Sequence, residues 1–398
     1  MKKILYIFAA FVLGIVTRAD EPLLSVGVLE SRKSVYISAQ HGFQLYQTKP
    51  VRKKLFTRWN SKSLRFEVTD RGMGFLNVKH QTDLHIKPFK NGYVYVNGKG
   101  YRGSVRLFED SFGKITVVNL VKLEKYLYGV IKSEMLINSP VEALKSQAVV
   151  ARTYAIKNQH KFLKEKGFGL TDDVRSQVYN GIEDEHQIAR DVVNATRGKI
   201  LTYKDEPISA YYHSACGGST SDSRDWYGKE IEFLRAKTCT DCSAYSNYNW
   251  KLDLDYSEIT YKLRVKGHRL GGIHDIEFER TKEGRVRKVI LKDSTGDLKM
   301  TGAAFRTLLG PSRLRSTIFK VVNPLKSKPK NQDKAELAIL SIIHGSRKKD
   351  KSLFLEGSGF GHGVGLCQWG AKGLAKQGFN YQDILRYYYT GVTVASLY

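Results

Sequence analysis

The sequence predicts an α+β fold, strand-rich with a few helices, one of them a capped central helix. Three observations carry this. Short apolar or alternating runs broken by turn residues fill residues 20 to about 118. A segment with a helix-start signature and helical apolar spacing comes next, near residue 140. Strand-like runs then return, interleaved with few helical ones, as far as the C-terminus.

Leu24 to Leu29, Ser34 to Ala39, Phe43 to Tyr46 and Leu64 to Val68 read as strands. Tyr93 to Val96, closed by Asn97-Gly98, reads as a hairpin strand and its turn. Ile115 to Val121 is a further β-branched run. Ser139-Pro140-Val141-Glu142 supplies an N-cap serine, a first-turn proline and a glutamate three residues on, the pattern of a capping box. Leu144, Ala148, Ala151 and Ala155 then recur at helical spacing. A second helix is expected from Glu183 to Arg197, stopped by Gly198. Strands are expected at Lys199 to Tyr203 and Ile208 to His213, and residues 275 to 294 alternate around a Glu283-Gly284 turn. Lys326 to Lys334 reads as an exposed basic loop and Gly357 to Gly365 as a glycine-dense one. The last helix starts near Asn380 and carries Ile384, Leu385 and Tyr388.

Residues 1–19 read as an export signal. Lys2 and Lys3 precede an apolar run from Ile4 to Val16, and a small residue, Ala19, offers a cleavage point. The run is shorter than the ~20 residues that span a bilayer. An uncleaved anchor or a buried first strand is the rival reading. With 41% hydrophobic residues, the chain has enough apolar material for a substantial core. The formal charge of +26 suits a polyanionic partner. No zinc-finger spacing of the DNA-reading kind and no RNA-reading aromatic motif is present, so no nucleic-acid partner is expected. For an exported chain the anions to hand are wall polymer and an anionic membrane surface.

HExxH and GxSxG are both absent, which argues against the common zinc peptidases and the α/β-hydrolases. Three other stretches combine glycine with acid, amide and imidazole groups. They are YLYGVIKSEM with EALKSQAVVARTYA (from Tyr126), AYYHSACGGST (from Ala210) and GFGHGVGLCQWGA (from Gly359). In this order they resemble the SpoIID/LytB family, over most of residues 100 to 398. The chain departs from the family pattern at Leu136-Ile137-Asn138, where a proline is common, and at Cys367, where serine is common. The resemblance implies a peptidoglycan lytic transglycosylase, or a protein that enhances a cell-wall amidase, in the periplasm or cell envelope. Together with the residue pattern, it divides the chain into an expected signal peptide (1–19), a strand-rich N-terminal region (20–105) and a SpoIID-like catalytic region (106–398).

Breaking a glycosidic bond needs a proton donor for the leaving oxygen, and most glycosidases use two carboxyl groups. A muramic-acid residue can supply its own nucleophile, the hydroxyl on carbon 6. One carboxyl then suffices, as acid first and base second, helped by intramolecular proximity. Glu134, between an apolar run and the capped helix, is the expected acid, and it should be partly desolvated to stay protonated near neutral pH. An exposed loop glutamate is the bland alternative. Gln147 and Arg152 are expected to line the same cleft from the helix. His362 and Gln368 in the glycine-dense loop, and Tyr179 as an aromatic platform, complete the expected substrate contacts, although each also has a structural reading. Strands stripped of stem peptides expose lactyl carboxylates, which the basic charge would favour.

The cysteines are Cys216, Cys239, Cys242 and Cys367. His213-x2-Cys216 and Cys239-x2-Cys242 suit a structural Cys3His zinc site. A disulfide from Cys216 to one of the later pair is the alternative. Family members can carry zinc near this segment, which favours metal. Cys367, in another motif, reads as a small packed residue.

Overall fold

The computed structural model describes residues 20–48, 53–59, 63–70, 72–76, 78–81, 83–322 and 352–398. The expected signal segment 1–19 and the expected loop Lys326 to Lys334 lie outside these. The architecture is α+β. Among the described residues, no helix is long and apolar enough to cross a membrane.

Two sheets form the N-terminal half. A seven-stranded sheet runs in the order 170–171, 23–32, 115–122, 104–109, 83–88, 43–47, 53–59. A six-stranded sheet runs 99–101, 94–96, 34–39, 64–69, 72–75, 78–81. Alternation explains the packing. Val35 and Ile37 from one sheet and Leu84, Ile86, Val105 and Leu107 from the other are fully buried in one core. At the hairpin tip, Asn97 and Gly98 have φ of 49° and 88°. That left-handed pair is what a tight two-residue turn requires, and Asn-Gly is the dipeptide that tolerates it. Strands on both sides of residue 105 share the larger sheet, so the strand-rich region is continuous with the chain beyond it.

The strand Ile115–Lys122 passes into the helix Leu123–Tyr128, the short helix Ile131–Glu134 and the 18-residue helix Val141–Asn158. This last helix is the centre of the molecule. It is buried almost all round, because the helices Gln187–Ala195, Gln368–Lys376 and Tyr381–Tyr388 and the strand Lys199–Tyr203 all pack on it. Its alanines let those neighbours approach.

Its capping box does not form. Ser139 Oγ donates to the Leu136 carbonyl at 2.6 Å, and no side chain caps the first turn. Glu142 instead pairs with Lys145 at 2.7 Å and accepts the Tyr381 N–H at 2.8 Å. The second expected helix is also shorter. Residues 181–184 form a 3-10 turn, and the helix Gln187–Ala195 starts at His186, whose ring accepts the Ile188 N–H. Of the expected strand Ile208 to His213, only Tyr212–His213 is extended and paired, in parallel with Leu366–Cys367. The last helix, Tyr381–Tyr388, begins as expected, with Asn380 accepting two backbone N–H groups.

A second hydrophobic cluster is drawn from residues 250–319 and Leu355. It is built on the sheets 249–255/352–358/319–322 and 273–280/286–293/298–301 and the helices Tyr256–Val265 and Gly302–Leu309.

Candidate active site

Glu134 ends the short helix Ile131–Glu134, which is held by what it buries. Leu127, Val130 and Ile131 are inaccessible to solvent. Gly129 is needed for the close approach of the chain, since a Cβ there would stand 2.5 Å from the Gly181 carbonyl and 2.8 Å from the Tyr179 ring. Ser133 Oγ donates to Asp184 at 2.6 Å and fixes the outer side of the turn.

The Glu134 carboxylate accepts the Val178 backbone N–H at 2.8 Å and the Tyr212 hydroxyl. Gln177 Nε2 donates to that hydroxyl at 3.2 Å, and Gln177 Oε1 faces the Tyr126 hydroxyl at 3.3 Å. Burial raises the pKa of Glu134, and the two donors only partly offset it. The side chain nevertheless borders a cleft of 360 Å³, with Lys132, Ser214, Tyr245, Gln368, Trp369 and Lys372 around it. No other carboxylate among the described residues lines this cleft.

Glu134, Gln147 and Gln368 come together. Gln368 Nε2 lies 2.8 Å from the Glu134 backbone carbonyl and 3.3 Å from Gln147 Oε1. Gln147 is fully buried and does not line the cleft.

Arg152 lies elsewhere. It is wholly buried in a two-pronged pair with Glu124, at 2.9 and 2.7 Å, and it also donates to the Lys199 and Val193 carbonyls. Glu124 further accepts the Gly198 N–H and the Tyr398 hydroxyl. Burial alone would raise the pKa of Glu124, but the Arg152 guanidinium, the Tyr398 hydroxyl and the Gly198 N–H together outweigh it and the pKa is lowered. Arg152 is therefore a structural cation joining three segments.

Tyr179 is not a sugar platform in this structure. It is 1% exposed, packs on Tyr101 and Tyr126, and donates to Asn119 at 3.0 Å. The aromatic wall of the cleft is Tyr245 and Trp369, with ring centroids 5.3 Å apart and Lys372 Nζ 4.0 Å from the Trp369 ring centre.

His362 does not touch Glu134. Its Nε2 donates to the Tyr212 carbonyl at 2.9 Å and its Nδ1 accepts the Val364 N–H at 3.0 Å. Burial pushes its pKa down to about 4, so the neutral ring is the stable form. It holds the backbone of Tyr212, the residue whose hydroxyl reaches Glu134. Tyr212, Gln177 and Trp369 are site residues that sequence reasoning does not find. Tyr212 and Trp369 sit inside the motifs singled out above and Gln177 lies two residues before Tyr179, but a tyrosine, a tryptophan or an amide gives no spacing signal of its own.

The expected Cys3His set does not assemble either. The Sγ atoms of Cys216, Cys239, Cys242 and Cys367 lie within 4.8 Å of one another, all buried. His213 is outside this group and packs on His362, with Nδ1 donating to the Val364 carbonyl at 3.2 Å. Cys367, expected to be only a packed residue, takes its place.

Comparison with known proteins agrees with these motifs. A family model described as stage II sporulation protein, SpoIID, matches residues 111–203, and one for a domain of unknown function matches 228–365. An uncharacterized protein of Brachyspira hyodysenteriae is 30% identical over 314 residues, 77% of each chain. An amidase enhancer of Bacillus subtilis is 29% identical over 80% of this chain, which spans 48% of that relative. The stage II sporulation protein D of Bacillus subtilis is 27% identical over 70% of this chain and 76% of its own length. The chain belongs to the SpoIID family.

Proposed function

We propose that this protein cuts peptidoglycan glycan strands as a lytic transglycosylase, with Glu134 as general acid and then base. The observation that carries the reading is a single desolvated carboxyl bordering a cleft with no second carboxylate among the described residues. Protonated Glu134 donates to the glycosidic oxygen leaving carbon 1 of muramic acid. The carboxylate so formed takes the proton of the carbon-6 hydroxyl as that oxygen bonds to carbon 1. The product is a 1,6-anhydromuramic end, and Glu134 is again protonated. One carboxyl serves both steps because the nucleophile belongs to the substrate.

Stacking on Trp369 and Tyr245 suits the apolar face of a sugar ring. Lys132 and Lys372 suit the free lactyl carboxylates of a strand without stem peptides, which we propose as the preferred substrate. The place of action is the cell envelope, and the +26 charge also suits an anionic membrane surface.

The relative named amidase enhancer favours a second reading, a non-catalytic glycan binder that stimulates a cell-wall amidase. Mass spectrometry of peptide-free strands after incubation separates the two. Anhydro ends are expected. Reducing ends alone would mean a hydrolase, and intact strands together with a faster added amidase would establish the second reading.

A further inference from the structure

Cys216 lies just after the strand Tyr212–His213, Cys239 and Cys242 flank the start of a 3-10 turn, and Cys367 precedes the helix Gln368–Lys376. Cys216 and Cys242 Sγ stand 3.4 Å apart. A tetrahedral thiolate site with metal–sulfur bonds of ~2.3 Å has sulfur–sulfur edges of roughly 3.8 Å, so small movements would complete one. The Cys216 and Gly370 backbone N–H groups both donate to Cys367 Sγ at 3.3 Å, the kind of bond that supports a metal-bound thiolate. A side chain at Gly370 would collide with Cys239 Sγ and the Tyr388 hydroxyl, so the glycine keeps the space around the sulfurs.

A second, independent observation is the charge beside the cluster. Arg285 is 2% exposed, and no carboxylate among the described residues pairs with it. Its Nη2 donates to the carbonyls of Cys216 and Ser219, its Nη1 to Thr317 at 3.3 Å, and its Nε has no partner. Gly363 makes room for it, since a Cβ there would lie 2.6 Å from the guanidinium carbon. An isolated buried cation is strongly unfavourable. Four neutral thiols or two disulfides would leave it uncompensated. Four thiolates on one divalent ion carry a net charge of minus two and provide the missing anion.

We propose that Cys216, Cys239, Cys242 and Cys367 hold one divalent metal ion in a closed tetrathiolate site, that Arg285 offsets half of the site's net charge, and that the site sets the aromatic wall of the cleft. Zinc and iron share the chemistry of such a ligand set. The link to the cleft is short. Tyr245 donates its N–H to the Cys242 carbonyl at 3.1 Å, and Trp369 stands two residues after Cys367. Gln368, which donates to the Glu134 carbonyl, adjoins the same ligand. The metal site stands whichever reaction the cleft performs.

The test uses the full chain purified without chelator. Elemental analysis should find about one ion per chain, colourless for zinc and coloured for iron. Cobalt exchanged into the site should give the strong thiolate-to-cobalt absorption of tetrahedral sulfur ligation. His213→Ala should keep the ion and that spectrum. Cys367→Ser should lose the ion or weaken its binding, and Arg285→Leu should weaken it by about 10- to 100-fold, with Arg285→Lys recovering part of the loss. If Cys367→Ser fails to fold, thiol reactivity of the folded wild-type chain still decides: the four thiols should resist modification until chelator removes about one ion per chain, and four thiols that react alike with and without chelator would overturn the proposal. A metal-free protein with disulfides among these cysteines, or an ion lost in His213→Ala and kept in Cys367→Ser, would overturn the proposal.

Discussion

In the proposed reaction Glu134 meets two opposed demands. A proton donor must hold its proton near neutral pH, which burial provides, and its carboxylate must exist after the first step, which Val178 N–H and the Tyr212 hydroxyl provide. Tyr212 stabilises the charged form, so removing its hydroxyl should raise the pKa of Glu134 further. Tyr212→Phe is therefore expected to move the alkaline limb of the pH–rate profile to higher pH. A limb that stays or moves down would show that Tyr212 does not touch the working acid. The raised pKa also has a stability sign. The folded state binds the proton more tightly than the unfolded state, so this group's contribution weakens as pH rises from the ordinary glutamate value through the raised one. Glu134→Gln should leave neutral-pH stability equal or higher, measured by thermal unfolding.

Glu134 stands out in the sequence because its motif is long. The role of Arg152 does not, because its partner Glu124 lies 28 residues away on another helix. A guanidinium looks the same in sequence whether it faces sugar or a buried acid.

At the scale of elements, the central helix explains what local pattern misses. Its serine, proline and glutamate match a capping box, yet Glu142 is drawn to Lys145 and to the start of the last helix, a tertiary contact spanning 239 residues. The helix is secured instead by Arg152 and Glu124, whose side chains are both 0% exposed. Breaking such a pair strands a buried charge, so Arg152→Met should cost about 3–5 kcal/mol in denaturant unfolding, whereas a cleft residue would cost activity with little stability. A fully stable Arg152→Met would show that this pair does not secure the helix. Trp369→Ala tests the aromatic wall. It should weaken glycan binding by up to roughly 10-fold, on the scale of about 0.5–1.5 kcal/mol for an aromatic contact, while Tyr179→Phe should not weaken it.

For the whole molecule, strand-rich α+β architecture is legible because alternation and turn residues persist over the first hundred positions. The cysteine cluster is not. Spacing rules see pairs such as Cys239 and Cys242, but Cys367 joins them only through the parallel pairing of Tyr212–His213 with Leu366–Cys367. The net charge of +26 acts at this scale too. Sedimentation of the protein with denuded, anionic strands should fall as salt rises from about 0.05 to 0.5 M, because screening shortens the Debye length. Binding to a neutral chitin chain should change little. Equal salt sensitivity on both would remove charge as a determinant of substrate choice.

The central claim is that Glu134 is the one acid–base group. The most direct measurement compares wild-type and Glu134→Gln proteins on the same insoluble denuded glycan, counting anhydromuramic ends released and protein bound. Release is predicted to fall by roughly 100-fold or more, the scale of general acid–base catalysis, with binding retained. Release of anhydro ends by Glu134→Gln at the wild-type rate would contradict it.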